Sequence, residues 1–111
     1  MTQFEVVLNQ RLTAIRAILS AKEKEYATDG DRYHNFNVAA RMTGETSEKA
    51  LRGMMMKHIV SVFDLIDDPE SVTEERVNEK IGDTISYLVL LEGMLKKRIS
   101  EKKGEEWLIN S

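Results

Sequence analysis

Hydrophobic residues recur at steps of three and four along most of this chain, a spacing that predicts helices with one buried face each. The clearest run is Val77 to Ile99, where Val77, Ile81, Ile85, Leu88, Leu91, Leu95 and Ile99 make a continuous seam that burial must cover. Phe4, Leu8, Leu12, Ile15, Leu19 and Tyr26 keep the same period near the start, and Ile18 widens that seam. Thr2 followed by Glu5 reads as a capping box, so the first helix is expected from about Gln3 to Ala27, with Asp29 and Gly30 ending it. Its polar face carries Arg11, Arg16, Lys22 and Lys24.

A loop follows, TDGDRYHNF, and then a short helix from about Asn35 to Thr43. Asn35 would cap it, Phe36, Ala39, Ala40 and Met42 would be buried, and Gly44 would stop it. Thr46 or Ser47 can cap a third helix with a wide apolar face, Leu51, Met54, Met55, His58, Ile59, Val62, Leu65 and Ile66. Pro69 predicts its end near Asp67 or Asp68. Ser71 with Glu74 offers a capping box for the fourth helix, which runs to the basic stretch before Gly104. So short a link predicts an antiparallel hairpin centred near Glu70, with Lys57 opposite Asp83, Asp64 opposite Glu75 to Glu79, and Met54 near Tyr87. The expected fold is all-α: one four-helix domain over residues 1–111, its second helix short and the hairpin central.

Composition narrows the functional classes. A net charge of −3 over 111 residues gives no broad attraction for a nucleic-acid polymer, although one local basic pocket can serve a free nucleotide. The absence of cysteine excludes disulfides, thiolate zinc sites and cysteine nucleophiles. No signal-peptide order or membrane-spanning run is legible, so a soluble cytoplasmic protein without membrane association is the expectation. Three consecutive methionines, Met54 to Met56, suit an adaptable core or subunit interface. The tail EEWLINS, with Trp107, Leu108 and Ile109, is expected to dock on its own domain or on a second chain.

The chemistry concentrates around the hairpin and the first loop. Glu75, Glu79 and Asp83 are spaced by four and repel one another on one helical face; with Asp64, Asp67 and Asp68 they could hold magnesium against a triphosphate. The competing reading makes them solvated turn residues, neutralised by Lys57 facing Asp83 and by Lys80 beside Glu79. In the loop, Asp31 and Arg32 read as an ion pair or as ligand contacts. His34 serves as a base, a phosphate contact or a solvated side chain, and Asn35 adds an amide. His58 reads as a core histidine. Tyr26, Tyr33 and Phe36 could stack on a base or close a core, and Gly82 and Gly93 suit close helix approach. No glycine-rich phosphate loop, nucleophile elbow or zinc spacing occurs.

The stretches KEKEYATDGDRYHNF, MMMKHIVSVFDLIDD and EKIGDTISYLVLL resemble small phage and prophage proteins of the nucleotide-modification-associated kind, over roughly residues 20 to 95. These are similar in turn to MazG-like all-α nucleoside triphosphate pyrophosphohydrolases, a likeness resting on IGDTISYL. MazG-like enzymes hold magnesium with a Glu-x-x-Glu pair on one helix and a Glu-x-x-Asp pair on the next. Here Asp83 matches the final acid, Lys80 stands where its glutamate belongs with Glu79 one residue displaced, and Asp64 matches an acid whose partner position holds Ser61. The resemblance implies a phage-type nucleotide-handling protein in the cytoplasm of a host cell. Asp64, Glu79 and Asp83 would hold magnesium, Lys57 and Asp83 would be catalytic, and Asp31, Arg32, His34, Asn35 and Tyr87 would bind substrate. The alternative is a non-catalytic helical homo-oligomer, a dimer through the long apolar helices, that kept the scaffold and lost the metal site.

Overall fold

The structure is a computed structural model that describes residues 1–25 and 32–104, with side chains described for 1–20 and 32–104. Four α-helices fill most of it: α1 (Gln3–Glu25), α2 (His34–Thr43), α3 (Ser47–Asp67) and α4 (Glu74–Lys102), with a short 3₁₀ turn at Pro69–Ser71. No strand occurs among the described residues. No helix among them is long and apolar enough to cross a membrane.

The helix starts follow local capping chemistry. The Thr2 hydroxyl accepts from the Glu5 N–H at 3.1 Å, and Glu5 Oε2 accepts from the Thr2 N–H at 2.9 Å, closing the expected box. Thr46 caps α3 by accepting from the Lys49 N–H at 3.3 Å. α4 starts differently from the expectation. Thr73, not Ser71, is its cap, accepting from the Arg76 N–H at 3.1 Å, while the Ser71 hydroxyl donates to the Asp68 carbonyl and closes the turn. Nor does Asn35 cap α2. The helix begins one residue earlier, at His34, with Tyr33 before it and no side-chain cap. Gly44 stops α2 as expected: at φ 70 it adopts the left-handed conformation, and its N–H donates to the Ala40 carbonyl. The expected end of α1 at Ala27, Tyr26 on its seam, Asp29, Gly30 and the Trp107 tail lie outside the described residues.

The helices lie side by side in the spatial order α2, α3, α4, α1. α3 and α4 touch along their lengths: His58 meets Asp83 close to the turn, and Glu48 takes a 2.6 Å hydrogen bond from Arg98 Nε far from it. The core is small. Phe36, Leu51, Met55, Leu90 and Met94 are its buried members, and Leu19, Tyr33, Met54 and Tyr87 pack against them.

The inward face of α4 is rotated from the apolar seam by about one residue. Gly82, Ser86, Leu90 and Met94, spaced by four, are buried, whereas Leu88, Leu95 and Ile99 are exposed. Small residues decide this rotation, because Gly82 and Gly93 let neighbouring side chains reach the α4 backbone. Arg11 of α1 lies over Gly82, and the Tyr33 hydroxyl over Gly93. Other residues expected in the core also face out: Phe4, Leu8 and Leu12 of the α1 seam, and Met42 at 82% exposure and Ile66 at 68%. Met42 and Ile66 each lie in the last turn of their helix.

Candidate functional site

A cavity of about 110 Å³ opens where α1, α2, α3 and α4 come closest. Its apolar wall is Ile18, Leu19, Phe36, Met54 and Leu90, and its polar groups are Arg32, Asn35, Asp83, Ser86 and Tyr87. Each element supplies its part for a local reason. Ser86 lies one turn after Gly82 on the inward stripe of α4, Asp83 and Tyr87 flank that stripe, and the first turn of α2 brings Asn35 and Phe36 over it.

Ser86 is the group that marks the cavity as a site. It is only 6% exposed, and its hydroxyl is buried with no hydrogen-bond partner among the described residues. A buried hydroxyl normally finds a partner, because leaving it unsatisfied costs about 1–3 kcal/mol. Ser86 lines the cavity wall, beside Asp83 and Tyr87. Aromatic rings frame the same space: Phe36 and Tyr87 meet edge to face with centroids 5.9 Å apart, and His58 lies tilted against Tyr87 at 4.8 Å.

Asp83 is half-exposed at the cavity, with His58 Nδ1 at 3.6 Å from its Oδ2. That contact replaces the expected one with Lys57. Lys57 is exposed, makes no ion pair with Asp83, and its carbonyl accepts from the Ser61 hydroxyl. The displacement is a single residue: the pairing between α3 and α4 puts position 58 opposite 83, and a one-residue step turns a helical side chain by about 100°. His58 is thus more than a core residue, since its imidazole lies beside a carboxylate and tilts against a cavity tyrosine.

The structure brings Arg32, Asn35, Asp83 and Tyr87 to one cavity and leaves other expected residues apart. His34 is exposed at the first position of α2, and Asp31 lies outside the described residues. Glu79 faces a different groove, between α1 and the start of α4, and sits 3.4 Å from Lys80 Nζ. Asp64 is exposed on α3. Among the described residues no three carboxylate or imidazole side chains gather closely enough to hold a metal ion. The set Asp64, Glu79 and Asp83 does not converge: Asp83 lines the cavity, Glu79 the groove beside α1, and Asp64 is exposed on α3.

Sequence reasoning missed Ser86. Its signal is present as the one small hydroxyl inside the run ISYLVLL, at the four-residue step from Gly82. His58 was legible as an inward residue but not as the partner of Asp83. No family model matches this chain, and neither the curated proteins nor the solved structures include a similar one.

Proposed function

We propose that this is a nucleotide-handling protein of the phage type, built on an antiparallel α3–α4 hairpin, with the cavity beside Ser86 taking the base or sugar of the ligand. The unpartnered Ser86 hydroxyl carries this reading. At about 110 Å³ the cavity is smaller than the roughly 300–1,000 Å³ of pockets that enclose a whole ligand, so it receives one ring and leaves the phosphates outside. Ser86 can donate or accept, Asp83 accepts, and Asn35 does both, a set that complements the amine and ring-nitrogen edge of a heterocycle. Arg32 is the guanidinium at the same mouth and suits a phosphate oxygen. The resemblance of DRYHNF and EKIGD to nucleotide-modification-associated proteins points the same way. Pyrophosphohydrolase activity, with magnesium brought in on the phosphates, is the reaction class that resemblance suggests.

The test is a thermal-shift panel of nucleosides and nucleotides, each with and without magnesium, on wild type, Ser86→Ala and Asp83→Asn. Binding to the folded state raises the melting temperature. A shift in wild type that both variants lose supports the reading. No shift with any member of the panel at millimolar concentration rejects it.

A second reading, a non-catalytic homo-oligomer in the same cytoplasmic setting, is favoured by a separate observation: Phe4, Val7, Leu12, Phe63, Ile66 and Ile99 are all more than half exposed. Of these, Phe4 and Val7 share one groove with Val72, Val77 and Ile81, and contiguous apolar exposure of that kind favours association.

A further inference from the structure

We infer that His58 is a positioning residue for the cavity beside Ser86: it holds the Asp83 carboxylate toward the heterocycle bound there and makes no contact with that heterocycle itself. This rests on the reading of the cavity as a nucleotide-base site and adds to it the residue that sets how well Asp83 is placed to bind.

Asp83 is a group that needs holding. It lies on α4 beside the buried stripe of Gly82 and Ser86, and 42% of its side chain is exposed. A carboxylate that wet moves among rotamers, and ordering one such side chain on binding costs about two- to tenfold in affinity. Lys80, three residues earlier on the same helix, lies 3.4 Å from Glu79 and makes no ion pair with Asp83. Among the described residues the one ion-pair partner of Asp83 is His58, with Nδ1 at 3.6 Å from Oδ2.

His58 is placed to do the holding. Its side chain is only 17% exposed and comes from the opposite helix, α3. The imidazole lies against Tyr87 with centroids 4.8 Å apart, and Tyr87 in turn meets Phe36 edge to face, so the ring is braced by aromatic residues of the cavity it serves. In the conformation that meets His58, Asp83 also lines the cavity beside Ser86. One orientation of the carboxylate therefore satisfies both. His58 is not among the cavity-lining residues, so it reaches what binds there through Asp83. A separation of 3.6 Å is longer than a hydrogen bond, and polar contacts at binding sites are often long before a ligand arrives and tighten with it.

The experiment is calorimetric titration of AMP, GMP, CMP and UMP into wild type, His58→Leu, His58→Asn, Asp83→Asn and the double variant of His58→Leu with Asp83→Asn. For the nucleotide that wild type binds best, Asp83→Asn is expected to raise Kd about tenfold, the worth of one hydrogen bond to a charged group. His58→Leu should raise it about fivefold, the cost of ordering a carboxylate that is no longer held. The double variant should bind no more weakly than Asp83→Asn alone, because a residue that acts through Asp83 then has nothing to act on. His58→Asn, whose amide N–H stands close to the place of Nδ1, should return Kd to within about twofold of wild type. Should His58→Leu lose helicity by circular dichroism, His58→Met gives the reading in its place. Losses that add in the double variant, as a purely structural role for His58 requires, overturn the inference and leave the base-site reading standing. So does a His58→Leu protein that binds like wild type while Asp83→Asn does not. A wild type that takes up none of these nucleotides overturns both.

Discussion

Ser86 contributes nothing to the ligand-free fold that alanine would not. Its hydroxyl is desolvated without recompense, so Ser86→Ala should leave the urea midpoint unchanged or raise stability by about 1 kcal/mol, while abolishing the ligand-induced shift. A large loss of stability would mean that the hydroxyl has a structural partner. Charge at single residues makes a different statement on the surface of α4. Glu92 holds its carboxyl below the ordinary range, first through the hydrogen bond from Lys96 at 2.6 Å and then through that ammonium's charge. A carboxyl depressed in the folded state stabilises above its unfolded value, and the contribution disappears as pH falls through the lowered one. Lys96→Gln should return the Glu92 titration to the ordinary range by NMR. Both groups are exposed, so the effect should be confined to acid pH.

At the scale of elements, the glycines separate helix propensity from packing. Gly53 in α3 has nothing near the position of an added Cβ, so Gly53→Ala should stabilise by about 1 kcal/mol. At Gly82 the added carbon would meet Arg11 Nη1 at 2.6 Å, but that is the end of a flexible side chain, and the propensity gain should roughly offset its displacement. Gly93→Ala should destabilise, because the Tyr33 hydroxyl occupies the space and the tyrosine ring is held against the core. Equilibrium denaturation of the three variants should therefore rank Gly53→Ala above Gly82→Ala above Gly93→Ala. The capping of α4 gives a second ordering. Thr73→Ala should cost about 1 kcal/mol, and Ser71→Ala, which loses only a turn hydrogen bond, should cost less.

At the scale of the whole molecule, the core is small and many apolar side chains are exposed. On the self-association reading, the melting temperature should rise with protein concentration. A melting temperature constant over a hundredfold range in wild type would place the stability within one copy. The division between sequence and tertiary structure follows the range of the forces involved. The sequence by itself determined where the helices lie, the Thr2–Glu5 box, the stops at Gly44 and near Pro69, and the residue types Arg32, Asn35, Asp83 and Tyr87 that meet at the cavity. Those depend on backbone hydrogen bonds, side chains a turn apart and hydrophobic period. Tertiary structure alone decided the rotation of each helix about its axis. The seam at Leu88, Leu95 and Ile99 is more apolar than the stripe at Gly82, Ser86, Leu90 and Met94, yet the stripe faces inward. Close approach at two glycines outweighed hydrophobicity there, and close approach depends on which side chains arrive from other helices. The same rotation chose His58 over Lys57 for Asp83, separated Glu79 and Asp64 from it, and left Ser86 without a partner among the described residues, because a helical side chain one position away points into a different environment.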